Sequence, residues 1–427
     1  MSEPDVSDLL TVQQAIAIID AVPIHPKTAT ISLDQASGLI LAEALRADRD
    51  FPPFDKSQMD GYAVRAADVS PGATLRVIGE VAAGAASDLT VGDKQAVAIM
   101  TGAPMPAGAD VVVPVEDVTV DGDAIRLTKS TTAGRFIARR GSDCREGAEV
   151  LPAGVTIGPA QIAVAAAVGA TDLRVFKRPT VAVLSTGDEI VPIHQQPGPS
   201  QIRNSNSPML VALLKKLNCD VIDLGHVPDD PAVIRSAIEC GLQSDALFIT
   251  GGMSMGKYDY VPRLLRELNI ELKVTKLRIK PGKPFVFGSS LGSGVSGPGS
   301  GVEDSNSNPR PQTPDPRPQA FVFGLPGNPV SAFVCTLRFA SRLLARMAGG
   351  AVYERWMNAT LQSPLPANGP REFYQPARLI GSVAVPMNWK GSADIFTLAQ
   401  ADAFLVRPEN EPALAAGSMV KLLEVPR

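Results

Sequence analysis

Histidine, cysteine and tryptophan are scarce in this chain: 427 residues include three His, four Cys and two Trp. His25, His194 and His226 stand alone, which argues against a histidine-rich metal site. Cys144, Cys219, Cys240 and Cys335 lie far apart and form no C-x-x-C pair, so neither a zinc cluster nor a disulfide framework is indicated. Clustered positive charge is also missing. The formal net charge is −4 and the pI about 5.6, and nothing marks nucleic acid or an anionic membrane as a partner. No apolar run approaches the roughly 18 residues of a membrane span, and "MSEPDVSDLL" is acidic without an apolar signal core. A cytoplasmic protein is expected.

What is present is ordinary globular composition, 45% apolar and 20% charged, in a chain long enough for roughly two to four domains. "TVQQAIAIIDAV" (11–22) has helical spacing and stops at Pro23. Residues 74–157 hold short β-rich runs separated by Gly, Asp and Pro, which predicts a small β domain. "GPAQIAVAAAVG" (158–169) predicts a helix with Pro in its first turn.

From 179 strand and helix alternate. "TVAVLSTG", "CDVIDLG", "DALFITGG" and "FVFGLPG" read as strands. Helices are expected after Ser207-Pro208, with Leu210, Leu213, Leu214 and Leu217 on one face, after Asp230-Pro231, after Asp259 and after Asn328-Pro329. This rhythm predicts an α/β fold with a parallel sheet covered on both faces. The stretch 289–319 has almost no apolar content and predicts a disordered insertion. After 351, "FYQPARLIG", "DIFTLAQADAFLVRP" and "SMVKLLEV" read as strands of a small barrel or sandwich.

Ligands of open parallel sheets bind beyond the carboxyl ends of the strands, which selects three loops. "STGDE" offers Thr186, Gly187, Asp188 and Glu189. "ITGGMSMGKYDY" offers Thr250, Gly251, Gly252, Ser254 and Asp259, with glycines that admit an anion to the backbone amides. "GLPGNPVS" offers Gly327, Asn328 and Ser331 at a helix start suited to an oxyanion. Taken singly, these read equally as a plain βα loop, an N-capped helix start and another capped helix. None matches a P-loop or a dinucleotide fingerprint. In "RIKPGKPFVFG", Lys280 and Lys283 are held by Pro281 and Pro284 and present fixed positive charge. Carboxylates suited to Mg²⁺, glycine loops suited to phosphate and lysines suited to a second anion together indicate a phosphate-ester or nucleotide enzyme using a divalent cation.

The blocks "PPFDKSQMDGYAVR", "IMTGAPMPAGADVVVPVED", "RRGSDCREGAEVLPAG", "STGDEI", "QIRNSNSPML", "TGGMSMGKYDYV", "IKPGKPFVFG" and "GLPGNPVSAF" closely resemble, in order, the MoeA family of molybdopterin molybdenumtransferases, which includes the E domain of gephyrin. The resemblance implies a linker domain of 1–50 with 145–178, a β-rich inserted domain at 51–144, a MogA-like α/β molybdopterin-binding domain at 179–350 and a C-terminal β barrel at 351–427. It also implies a homodimer, Mg²⁺ as cofactor, and transfer of molybdate into adenylyl-molybdopterin with release of AMP. A MogA-type adenylyltransferase is a candidate partner. On this reading Asp60, Glu189, Asp259 and Asp143 are candidate catalytic carboxylates, with Asp188, Glu189 and Asp259 as metal ligands. Asp60 serves equally as a turn residue before Gly61. Arg371 in "PREFYQPAR" is a further anion contact by resemblance, although Pro370 stands where the family has arginine. Lys56 stands where the family usually has asparagine. Two other readings are a MogA-type adenylyltransferase, disfavoured by the MDGYA block and the C-terminal strands, and a non-catalytic scaffold like gephyrin.

Overall fold

The computed structural model describes residues 9–85, 88–253, 260–290, 319–352 and 354–426; Ser254, Asp259 and nearly all of the predicted insertion lie outside them. Two compact units are formed, one by Met1–Ala29 with Phe176–Arg427 and the other by Thr30–Val175.

In the larger unit, six strands among the described residues build a sheet. Its order is Asp220–Val227, Thr180–Thr186, Ala246–Thr250, Phe321–Leu325, Val286–Ser290 and Ile270–Val274. The first four run parallel, as the alternating pattern predicts. The last two pair antiparallel, which corrects the expectation of an all-parallel sheet. A parallel return needs a crossover, usually a helix. The short link from Val274 to Val286 contains none, so the chain doubles back.

Strand alternation divides the core in two. Val181, Val183, Phe248 and Phe323 face one way and pack with Phe285, Phe287 and Phe339. Phe248 and Phe323 lie 4.9 Å apart by ring centroid. Ala182, Leu184, Leu247 and Ile249 face the other way, against Ile234, Ile238 and Leu264 of the helices Pro231–Gly241 and Val261–Glu267. The helix Val12–Asp20 begins with a capping box between Thr11 and Gln14 and buries Val12, Ala15, Ile16 and Ile19 in the phenylalanine-rich core. Its apolar face is covered by the α/β layer.

Five strands close into a barrel, in the order Glu372–Ile380, Val383–Pro386, Trp356–Leu361, Met419–Glu424 and Ala403–Arg407, the last pairing back onto the first. Ile279–Lys280 adds to it in parallel. The barrel is tied to the α/β layer by Arg338, which is 4% exposed, donates to the Tyr374 hydroxyl at 2.8 Å and pairs with Glu354. Desolvation raises the pKa of the half-buried Glu372 carboxyl, which accepts from Tyr374. One stretch read as strand is helical: Ile395–Leu398 forms a short helix because Asp394 accepts from the Thr397 amide at 3.0 Å and the Thr397 hydroxyl at 2.7 Å.

In the smaller unit, six strands among the described residues form the sheet Val111–Pro114, Gly61–Val64, Gln95–Ile99, Thr74–Val81, Ala124–Leu127 and Val118–Asp121. Leu45–Arg46 pairs with Glu149–Leu151. Among the described residues, no helix is long and apolar enough to cross a membrane.

Candidate functional site

The carboxyl ends of Thr180–Thr186 and Ala246–Thr250, with the turn after Phe321–Leu325, open into a cleft of about 740 Å³. Thr186, Glu189, Gly251, Gly327 and Asn328 all line it, so parts of the three loops read from the sequence converge. Gly251 holds φ +91°, and a Cβ there would overlap the Thr186 carbonyl. Gly187, at φ +136°, would set a Cβ 2.6 Å from the Glu189 carboxylate. Gly251 thus lets the second loop close on the first, while Gly187 leaves room for the Glu189 carboxylate within its own loop. Asn206 bridges to the third by donating from Nδ2 to the Gly327 carbonyl at 2.6 Å.

Beneath the cleft lies a neutral hydrogen-bond network that sequence reading did not assign. Ser185 Oγ shares hydrogen bonds with Ser207 Oγ at 2.7 Å and Thr250 Oγ1 at 3.0 Å. Asn204 Nδ2 donates to Ser185 Oγ at 3.2 Å and to Ser207 Oγ at 3.1 Å, while its Oδ1 accepts from the Ser207 amide at 3.0 Å. Asn204 thus anchors the start of the helix Asn206–Lys216. The Thr186 hydroxyl and the Asn206 Oδ1 are buried without a hydrogen-bond partner among the described residues. The signal was the polar run N-S-N-S in "QIRNSNSPML", whose residues carry no motif-level chemistry singly. The same run supplies Arg203, an exposed cation in the cleft wall held by Gln196 Oε1 at 3.0 Å.

Other expected residues are placed differently. Asp188 does not line the cleft; its Oδ1 accepts from the Asp229 amide at 3.0 Å. Gly252 packs within 3.1 Å of the Thr186 hydroxyl, measured from an added Cβ, without lining the cleft. Ser331 is 3% exposed and outside the lining, and the Val330 amide, expected to be free at that helix start, donates to the Ser392 carbonyl at 3.0 Å. Lys280, Lys283 and Arg371 also lie outside the lining. The Lys280 ammonium is exposed, 4.8 Å from the Phe373 ring centroid. Glu189 is the one carboxylate lining the cleft among the described residues, which contain no cluster of three metal-ligating side chains.

In the smaller unit, the stretch 50–60 is clasped by 139–146. Asp55 accepts from the Arg140 amide at 2.8 Å and from Arg139 at 2.6 Å; Asp50 accepts from the Glu146 amide at 3.0 Å and from Arg140 at 2.8 Å. These bonds hold both carboxyls below their ordinary range, the backbone amides most strongly. Asp60 is exposed, and its Oδ1 accepts from both the amide and the hydroxyl of Thr101 at 2.7 Å, which lowers its pKa. Asp143 is exposed and accepts from the Ser142 hydroxyl at 3.1 Å.

Three family models match along the chain: MoeA N-terminal region (domain I and II) over 10–169, Probable molybdopterin binding domain over 182–346, and MoeA C-terminal region (domain IV) over 358–425. A molybdopterin molybdenumtransferase of Synechococcus elongatus is 34% identical over 405 residues, covering 92% of this chain and 93% of its own. The chain belongs to the MoeA family. Another relative of that name, from Haemophilus influenzae, is 34% identical over 344 residues, covering 80% of this chain and 78% of its own. A crystal structure of a molybdopterin biosynthesis MoeA protein from Pyrococcus horikoshii superposes with a TM-score of 0.79 at 27% identity, covering 98% of this chain and 100% of that one. The MoeA membership covers both units; the strand-end loops of the cleft fall within the segment matched by the molybdopterin-binding model, and Ala393, Ile395 and Phe396 on its rim within that matched by the C-terminal model.

Proposed function

We propose that this MoeA-family chain is a molybdopterin molybdenumtransferase, which inserts molybdate into adenylyl-molybdopterin and releases AMP late in molybdenum cofactor synthesis. The observation that carries the reading is a family match spanning both units, combined with a cleft whose floor is polar, neutral and pre-oriented. Breaking a phosphoanhydride requires positioning and charge neutralisation more than covalent help from the protein. Arg203 supplies a cation, and the Thr186 hydroxyl and the Asn206 amide, the latter fixed through the Gly327 carbonyl, supply dipoles.

Mg²⁺ fits this donor set. Glu189 would offer hard carboxylate oxygens in the cleft, and Thr186 Oγ1 and Asn206 Oδ1 have no hydrogen-bond partner among the described residues. Bound there, the ion would offset the charge of the substrate phosphates. Of the other two acids expected as ligands, Asp188 lies outside the cleft lining and Asp259 outside the described residues. The Lys280–Lys283 turn is proposed as the molybdate contact and Asp60 as a carboxylate acting on the reacting oxygens. A homodimer is proposed as the working assembly.

The test is to mix the purified protein with adenylyl-molybdopterin, molybdate and Mg²⁺ and assay for AMP. Molybdate-dependent AMP release is expected, and its absence would overturn the proposal. Consumption of ATP with release of pyrophosphate would instead mark an adenylyltransferase.

A further inference from the structure

The lips of the cleft differ from its floor. Phe396, which lines the cleft, is 77% exposed, and Ile202 on the facing ribbon Ile190–Val191 with Ile202–Arg203 is 60% exposed. A phenylalanine face this open wins little burial energy in the folded chain, yet the backbone that carries it is anchored. Its helix Ile395–Leu398 is capped by Asp394, and the preceding Ser392 is fixed to the α/β layer through Asn328 Nδ2 at 2.8 Å and the Val330 amide at 3.0 Å. The barrel thus presents one aromatic side chain from an anchored backbone at the rim of a cleft otherwise built by the sheet. An aromatic face of this kind takes a flat, π-bearing ring at small entropic cost, since two torsions define it.

We propose that Phe396 is a specificity-determining residue that stacks on a planar nitrogen heterocycle of the substrate while the polar floor takes the phosphates. This rests on the reading of the chain as a molybdenumtransferase, whose substrate carries such a ring at each end, adenine on one side and pterin on the other. The contact selects for the flat ring and leaves the phosphate contacts untouched.

Titration calorimetry of the full chain with AMP, with molybdopterin and with ring-free pyrophosphate tests it. Phe396→Ala should weaken AMP or molybdopterin by about tenfold, the size of one lost aromatic stack, and leave pyrophosphate unchanged. Phe396→Trp should restore the affinity. Loss confined to AMP assigns the adenine end, and loss confined to molybdopterin assigns the pterin end. Unchanged affinity for both ring-bearing ligands, or an equal loss for pyrophosphate, overturns the stacking role while AMP release by the unaltered protein still supports the reaction. Failure of the unaltered protein to bind either ring-bearing ligand overturns both.

Discussion

In the strand-end cleft, Ser185, Asn204, Ser207 and Thr250 are each at most 9% exposed and satisfy one another through neutral hydrogen bonds. Around Asp60, in the other unit, charged groups face water: Arg139 and Arg140 are 57% and 62% exposed while they bind Asp55 and Asp50. Burial makes the first set costly to disturb, because each hydrogen bond lost leaves a partner with no water to replace it. Solvent makes the second set tolerant, because exposed ion pairs contribute little and are screened by salt. Two polar surfaces, one buried and neutral and the other exposed and charged, therefore differ in how they respond to change. One is a buried framework beneath the cleft, and the other can lose a charge and keep its shape.

The sharpest test of that contrast is Asp60→Asn. The substituted amide keeps the Oδ1 that accepts from Thr101, so the melting temperature should hold within a degree or so. Molybdate insertion should fall on the order of 100-fold, and near-normal turnover would remove Asp60 from the reaction. Asn204→Leu should behave in the opposite manner. It strips partners from Ser185 and Ser207, so denaturant unfolding should report a loss of about 1–3 kcal/mol along with weaker ligand binding. A fully stable Asn204→Leu protein would show that the network is not needed to hold the cleft.

A smaller effect is expected from pH. Asp50, Asp55 and Asp60 have pKa values lowered from the ordinary 3.8, chiefly by backbone amides. A lowered folded pKa means the stabilisation is present above the unfolded value and fades as pH falls through and below it. Amide exchange of the 50–60 and 139–146 segments should therefore accelerate below about pH 4. The neutral Ser–Asn–Thr network has no group titrating there, and equal acceleration at Ser207 would blur the distinction. No loss of stability should come from replacing 291–319 by a two-residue Asn-Gly turn. Ser290 and Ala320 already exchange hydrogen bonds at 2.9 Å across the antiparallel strands, so they can be joined closely. Loop-length entropy changes slowly, about 0.6 kcal/mol per doubling, and a collapse of the melting temperature would contradict this.

Much of the α/β layer was legible because its signals are local. Leu210, Leu213 and Leu214 fall on one helical face, and Asp230 before Pro231 does cap, accepting from the Ala232 and Val233 amides. Thr186, Glu189, Gly251, Gly327 and Asn328 were readable as cleft residues because strand-end loops are where such sheets bind ligands. Arg203, Asn204 and Phe396 were not, for different reasons. Asn204 matters through partners 19 residues away in the chain, and Phe396 through a barrel segment clamped beside a turn 60 and more residues earlier. The antiparallel edge was missed because alternation reports which faces are buried, not which way a strand runs.

By itself the sequence determined the family, the alternation of strand and helix, and the chemistry available in each loop, since periodicity, caps and motif order are written in neighbouring residues. The tertiary structure alone decided which of those groups share a cleft. It turned Asp188 toward Asp229, buried Ser331, engaged the Val330 amide and set Phe396 at the rim. The physical reason is that hydrogen-bond satisfaction and packing are settled between segments distant in the chain, and a residue type states only what it can do once its neighbours are fixed.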